Sequence, residues 1–293
     1  MMADKITIYI PTKNRLELLK RSVASVLGQT YDNWELIIVN DASTDGTKKY
    51  LDQLSLENSK IKVIHHTESK GACISRNEAI FSASGEFITG LDDDDMFTED
   101  RLAKFLENWT ENEVKALCAY KIIAANDKFS KDDNPQLRYI TKDDLIYSNL
   151  IGNQVFTRTS VLQKIGGFDA DFKMWQDYDC WYRLLKSGGQ AKKIPVATYI
   201  WDHNDRTDRI TNKLKDKLLE THSLFVSKHQ LSSKQASIIK LNFLDYKADK
   251  LSFFYIIKMA FSTGFDKKAI DIMVKRKILD NKLFAGLIRT IKK

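Results

Sequence analysis

The chain has 293 residues and a mass of 33.8 kDa, with 43% hydrophobic and 29% charged residues and only 3 Pro and 12 Gly. That excludes disordered, collagen-like and linker-rich classes and leaves room for a sizeable core. The net charge of +7 is uneven: residues 213–293 carry 18 Lys+Arg against 7 Asp+Glu, and residues 1–212 carry 28 against 32, so the basic character belongs to the last part alone.

The N-terminus, MMADKITIYIPTKNR, lacks the apolar length and cleavage site expected of a signal peptide. ITIYIPT (6–12) predicts a first strand that stops at Pro11. Residues 15–27 predict a helix with Leu16, Leu19, Val23 and Val26 on one face. WELIIVND (34–41) predicts a second strand whose apolar run ends abruptly at Asn40 and Asp41, as buried parallel strands do. A helix over 43–54, a strand at KVIHH (62–66), a helix over 71–83 and a strand at GEFITGLD (85–92) follow. This alternation at βαβ spacing predicts an α/β fold with an open, doubly wound, mostly parallel sheet, whose crevice lies at the strand C-termini.

Beyond residue 97 the pattern loosens. A helix is expected over 99–109, a strand at 116–123, a polar loop at NDKFSKDDNPQ, mainly helical or irregular chain over 141–165, a helix over 175–187 and a final strand at 194–201. Residues 213–293 lack breakers and interleave lysine with Leu, Ile, Phe and Met, which predicts helices. The expected division is a body at 1–212 and a basic helical region at 213–293. No run of eighteen apolar residues predicts a membrane-spanning helix. Three scattered cysteines, Cys73, Cys118 and Cys180, fit neither a disulfide framework nor a zinc knot, and point to a reducing compartment.

Asp92, Asp93, Asp94 and Asp95 follow the fourth strand directly. Adjacent carboxylates repel, and a hard divalent cation, Mg²⁺ or Mn²⁺, is a physical reason for ordering them. In extended backbone Asp92 and Asp94 point to one side, so a D-x-D at a strand end can hold a metal between protein and phosphate. Pro11-Thr12 and Asn40-Asp41 close two strands on the same crevice, where Asp41 can accept from a base N–H or a ribose hydroxyl. No G-x-G-x-x-G follows the first strand and no G-K-S or G-K-T occurs, which removes the dinucleotide and P-loop fingerprints. Lys70 and Arg76 supply cations near the acidic run. In WQDYDCWYR, Asp177 sits near a helix N-terminus, where a carboxylate is stabilised. Asp177 and Asp179 do not share a helical face, so one can face the crevice while the other braces. Trp175 and Trp181 are read as an apolar wall on which a sugar could stack.

In this order and spacing, IYIPTKNR (8–15), SVLGQTYDNWELIIVNDASTDGT (25–47), GACISRNEAI (71–80), GEFITGLDDDD (85–95) and GGFDADFKMWQDYDCWYRL (166–184) resemble the family 2 glycosyltransferases, inverting enzymes of GT-A fold. The resemblance spans about residues 5–205. It implies a nucleotide-sugar donor, usually a UDP-sugar, and Mn²⁺ or Mg²⁺. Asp41 matches the aspartate on the uracil, and Pro11, Thr12 and Asn14 lie in the matching first-strand loop. Asp92 and Asp94 match the D-x-D, the first meeting the ribose side and the second the metal on the diphosphate, with Asp92 as a further metal ligand and with Asp93 and Asp95 as the alternative register. Asp177 matches the catalytic base; Gln176 stands where the family often has Glu. His203 resembles a late histidine that reaches the diphosphate or the metal. UDP-glucose or UDP-galactose is favoured over UDP-N-acetylglucosamine.

The basic region suits an anionic membrane surface. A saccharide acceptor linked to undecaprenyl diphosphate would suit such a surface; the chain in this resembles bacterial enzymes that extend O-antigen or capsule repeat units, which implies a peripheral place on the cytoplasmic face of the inner membrane. A helical subdomain that packs on the body or mediates homodimerisation is the other reading of that region. Nucleic acid is not an expected partner, since no binding module accompanies the charge. Two other functions fit the sequence less well. A nucleotidyltransferase would need a Gly-rich phosphate loop, and PTKNR is not one. An inactive partner subunit would not need both the D-x-D and Asp177.

Overall fold

The structure, a computed structural model, describes residues 4–110, 113–125, 128–131, 134–202, 214–246 and 252–280. Two compact units emerge: Met1–Lys142 with Leu150–Asp208, and Asp143–Asn149 with Arg209–Lys293.

The first unit opens with β1 (Ile6–Thr12), α1 (Leu16–Leu27), β2 (Trp34–Asn40), α2 (Thr47–Glu57), β3 (Ile61–His65), α3 (Ala72–Ser82) and β4 (Phe87–Gly90). Every residue of β1 and β2 is buried, as expected of strands covered on both faces. Ile6, Ile8, Ile10, Leu36 and Ile38 share one core with Leu19, Val23 and Val26 of α1 and Leu51 of α2. Each such side chain contributes about 1.5–3 kcal/mol on burial.

β5 (Met96–Phe97), α4 (Arg101–Asn108), β6 (Val114–Ala125), β7 (Lys128–Lys131), β8 (Arg138–Ile140), α5 (Lys142–Leu145), β9 (Phe156–Arg158), α6 (Thr159–Lys164), α7 (Gln176–Lys186) and β10 (Gln190–Asp202) follow. The sheet order is β3-β2-β1-β4-β9-β6-β10-β5, with β7 on β6 and β8 on β10. β1 to β4 pair in parallel, as do β6 and β10. This is the doubly wound, mostly parallel sheet the sequence predicts.

Two expectations fail, and the first is the polar loop at NDKFSKDDNPQ, which carries β7 antiparallel to β6. Residues 141–165, read as helical or irregular, contain β9, which lies antiparallel to both β4 and β6 in the middle of the sheet. Phe156 explains its place, since its ring stacks on Phe87 at 4.8 Å and on Phe105 at 5.2 Å.

Register aligns the strand ends. Thr12 pairs with Asn40, and Tyr9 with Gly90, so Thr12, Asp41 and the segment after β4 emerge at one edge. The opposite edge holds Glu35, 2% exposed. Its carboxylate accepts from the Thr7 hydroxyl (2.7 Å), the Ser84 amide (2.6 Å) and hydroxyl (2.8 Å), and the Lys5 and Lys62 ammonium groups (3.0 Å each). These donors outweigh its burial and hold its pKa far below the usual range.

The second unit is helical in its described residues: α8 (Leu214–His229), α9 (Ser233–Ile239), a 3₁₀ turn (Lys240–Tyr246), α10 (Phe253–Ser262) and α11 (Lys267–Asp280). Ser232 and Gln235 form a capping box at α9, and the Ser252 hydroxyl caps α10 through the Tyr255 amide. Leu218, Phe225, Ile238, Ile239, Leu241, Phe243 and Met273 are buried in it. The short segment Asp143–Asn149 is tied here by the Tyr147 hydroxyl to Asp266 (3.1 Å) and by Lys268 to Asp144 (2.8 Å).

Candidate active site

A cavity of about 600 Å³ opens at the edge where β1, β2 and β4 end. Pro11, Thr12, Lys13 and Arg15 line it from the β1 loop, and Asp41 from the β2 end. Ser69, Gly71, Ala72, Ser75 and Arg76 line it from the start of α3, and Asp92, Asp93 and Asp94 from the segment after β4. The expected residues Pro11, Thr12, Asp41, Arg76, Asp92, Asp93 and Asp94 are thus brought together. Asn14, Lys70 and Asp177 lie outside its lining, and His203 lies outside the described residues.

The acidic run is a turn and not the extended strand end that was expected, closed by the Asp95 amide donating to the Asp92 carbonyl at 3.1 Å. The turn splits the four roles. Asp95 is buried away from the cavity, accepting from the Tyr199 hydroxyl (2.8 Å) and the Asp202 amide (3.0 Å). Burial, with Asp92 and Asp94 nearby, pushes it up to about 8. Asp93 accepts from the Thr12 hydroxyl (2.8 Å) and from Arg15 (3.1 Å), yet burial outweighs them and pushes it up to about 6. Asp94 is more open and meets the same Arg15 nitrogen at 3.2 Å. Asp92 accepts at Oδ1 from Arg76 (3.0 Å) and from the Gln154 amide (3.2 Å).

Asp41 is held on every side. Oδ1 accepts from the Lys70 amide (2.7 Å) and meets His66 Nδ1 at 2.7 Å. Oδ2 accepts from the Ser69 hydroxyl (2.7 Å) and the Gly71 amide (3.0 Å). Despite desolvation these bonds lower its pKa to about 2. Its acceptor positions are therefore filled by its own chain. The other ring nitrogen of buried His66 meets Glu78 at 2.7 Å. Lys70 turns its ammonium to the same Glu78 (3.1 Å), so it serves the cavity edge through its backbone N–H. Asn14 likewise braces: its carbonyl oxygen accepts from the Thr44 amide at 2.7 Å, joining the β1 and β2 loops.

Arg76 bridges two elements, donating to Asp92 and, at 3.2 Å, to Gln176 Oε1 at the start of α7. Its cation lies 5.2 Å from the Phe168 ring centroid. Next to Gln176, half-buried Asp177 is pushed up to about 6 by desolvation, against the pull of Arg76, while Asp92 raises it further. Asp177 is thereby within the electrostatic reach of the cavity's Arg76 and Asp92. Asp179 is fully buried and paired with Arg183 at 2.8 Å, whose guanidinium also holds the Ile165 and Gly167 carbonyls; it braces. The tryptophan wall is corrected. Trp181 is fully buried, donating to the Gly152 carbonyl (2.9 Å) and set edge-on to Phe168, so no sugar can stack on it. Trp175 is 6% exposed, packs edge-on against Tyr178, and holds a left-handed backbone with φ of 59°. Bulky residues seldom adopt that conformation, so local strain sits two residues before Asp177.

Sequence reasoning missed three contributors. Arg15 lies inside a quoted motif, but nothing marked it as the clamp on Asp93 and Asp94. Gln154 is buried between the Tyr9 hydroxyl (3.0 Å) and Asp92, and it belongs to no motif. Gly90 makes room for it: a Cβ there would lie 2.1 Å from Gln154 Oε1 and 2.5 Å from the Tyr9 ring.

Among the described residues no group of three or more His, Cys, Asp or Glu side chains is arranged to hold a metal ion. Asp92 and Asp94 do reach the cavity, where their carboxylates, held by Arg76 and Arg15, present hard oxygens of the kind a divalent cation takes. All three cysteines are free and buried. No described helix is long and apolar enough to cross a membrane.

The profile of glycosyl transferase family 2 matches residues 7–181. Glycosyl transferase WcaA of Escherichia coli (strain K12), assigned by its name to colanic acid biosynthesis, is 38% identical over 216 residues, covering 72% of this chain and 76% of WcaA. WfgD of Escherichia coli, a UDP-Glc:alpha-D-GlcNAc-diphosphoundecaprenol beta-1,3-glucosyltransferase, is 31% identical over 185 residues, covering 62% of this chain and 70% of WfgD. Among solved structures, S. aureus TarS in complex with UDP-GlcNAc superposes with a TM-score of 0.65 at 18% identity, covering 87% of this chain and 76% of TarS. The mannosyltransferase PcManGT from Pyrobaculum calidifontis, in complex with GDP-Man and Mn²⁺, gives 0.60 at 17% identity, covering 99% and 80%. These two structures speak for the fold alone.

Proposed function

The chain belongs to glycosyl transferase family 2, and on that footing we propose that it moves a hexose from a UDP-sugar to a hydroxyl of a lipid-diphosphate-linked saccharide, inverting the configuration at C1, in bacterial surface-polysaccharide synthesis. UDP-glucose or UDP-galactose is the favoured donor. The name of WfgD, with its UDP-glucose donor and undecaprenyl-diphosphate acceptor, supports that class of substrates. The observation that carries the reading is one cavity in which Asp92, Asp93 and Asp94 meet the cations Arg15 and Arg76, within electrostatic reach of Asp177.

The geometry supports the following roles for the described residues. Lys13, Arg15 and Arg76 give the cavity positive charge against a diphosphate. The Pro11–Thr12 strand end and Asp41 flank the nucleoside side. Because the Asp41 acceptors are filled, a uracil N–H bonds there only by displacing Ser69, His66 or a loop amide. Asp92 and Asp94 would hold Mn²⁺ or Mg²⁺, and the family resemblance adds His203 as a further ligand. The ion, when bound, offsets charge on the departing UDP. Asp177 takes the proton of the attacking hydroxyl as general base. With a pKa of about 6 it is ionised at neutral pH, yet basic enough to accept that proton. A single attack opposite the leaving nucleotide gives inversion. The acceptor's lipid keeps the reaction at the cytoplasmic face of the inner membrane.

The test is a donor panel of UDP-glucose, UDP-galactose and UDP-N-acetylglucosamine against a synthetic lipid-diphosphate sugar with Mn²⁺, read by UDP release and product NMR. The expected product carries an inverted anomeric centre, and Asp94→Ala reduces transfer about 100-fold or more. A retained configuration, or a folded Asp94→Ala variant at full rate, contradicts the reading.

A further inference from the structure

α10 has two unlike faces. Met259 is buried where the helix packs on α9 and α11, and so is Thr263 just past its end. The other face carries Phe254 (82% exposed), Ile257, Lys258 and Phe261 (68% exposed). At about 100° per residue these four positions fall within one third of the helix circumference. Phe265, also exposed, extends the stripe beyond the helix end, its ring centroid 5.0 Å from that of Phe261. A soluble chain rarely leaves a contiguous aromatic stripe in water, and such patches mark protein or membrane contact.

The charge chooses between those occupants. Lys258 sits within the stripe and Lys267 follows it, both exposed. Asp266 is committed within the unit to Tyr147 and Lys234, which leaves the stripe's surroundings cationic. Lysine is depleted from the dry centre of protein interfaces. On a bilayer it is favourable, because its stem lies along apolar surface while the ammonium reaches lipid phosphate. We propose that the face Phe254–Ile257–Phe261–Phe265 docks this protein on an anionic lipid surface, the rings entering the acyl boundary and Lys258 and Lys267 meeting headgroup phosphates. The inference rests on the second unit alone and goes beyond the transfer reading.

The full chain is sedimented with vesicles of phosphatidylcholine alone and of phosphatidylcholine with roughly 30% phosphatidylglycerol, at about 0.1 M and about 0.5 M salt. Expected are binding to the anionic vesicles, about tenfold or more weakening on neutral ones, and partial release by salt. The triple variant Phe254→Ser/Phe261→Ser/Phe265→Ser loses vesicle binding while keeping its circular dichroism and its UDP release from UDP-sugar. Lys258→Glu, which leaves the rings in place, weakens anionic binding only. Wild-type protein that ignores anionic vesicles overturns the inference, and so do variants that bind as wild type. A concentration-dependent dimer that the triple variant dissolves also overturns it, since the stripe would then be covered by a second copy. Vesicle binding without any sugar transfer sinks the proposed reaction and leaves this docking face standing.

Discussion

The two edges of one sheet treat buried carboxylates in opposite ways. At the edge where β1 and β2 begin, Glu35 is surrounded by five donors and held strongly ionised. At the edge where they end, Asp93 and Asp95 are buried and Asp177 is half-buried, and desolvation outweighs the groups that favour their ionised forms, so all three are pushed upward. A carboxylate that only holds the fold together is saturated by its own chain. Asp93, which lines the cavity, is left in want of positive charge or a proton, which a ligand can supply, whereas Asp41 on the same cavity is saturated as Glu35 is. The contrast carries opposite pH signatures. The stability Glu35 contributes is present above its unfolded value and is lost in acid; that of Asp93 and Asp177 is present below about pH 4 and is lost as pH rises through about 6.

The largest effect expected on the saturated side is from Glu35→Ala, which strands Lys5, Lys62, Thr7 and Ser84. It should cost roughly 3–5 kcal/mol in denaturant unfolding at pH 7; a loss under about 1 kcal/mol would break the comparison. On the other side, Asp177→Asn should raise stability at pH 7.5, by up to ~3 kcal/mol in ligand-free protein, and leave it unchanged near pH 4. Thermal unfolding at both pH values checks the sign, and destabilisation at pH 7.5 refutes it. Gln154→Leu removes a donor from Asp92 and orphans the Tyr9 hydroxyl. It should weaken UDP-sugar binding about tenfold in calorimetry. The smallest effect is assigned to Lys70→Ala, whose exposed ammonium meets only Glu78. Stability and donor affinity should shift by less than about 0.5 kcal/mol; a larger loss of affinity would give Lys70 a direct contact with the donor.

Much of the first unit was legible because its physics is local. The apolar runs ending at Pro11, Asn40 and Gly90 place three strands and their terminal loops by periodicity alone, and the acidic run follows directly. β9 was not legible, because three residues carry no period and Phe156 becomes strand through Phe87 and Phe105. Nor could four identical aspartates be told apart. Tyr199 on distant β10 turns Asp95 inward, and Arg15 and Gln154 sort the others. Trp181 looked available to a sugar because a sequence shows an aromatic ring and not what covers it, and only the packing of Phe168 against it shows it to be core.

The most direct test compares transfer and donor binding in one variant, Asp177→Asn, checked for folding by circular dichroism. The account predicts UDP-sugar affinity within about twofold of wild type, with sugar transfer reduced by roughly 10²–10⁴. It also predicts that the wild-type rate climbs with pH through about 6 and levels above it. A folded variant that transfers at the wild-type rate with the same pH profile contradicts the assignment of Asp177 as base.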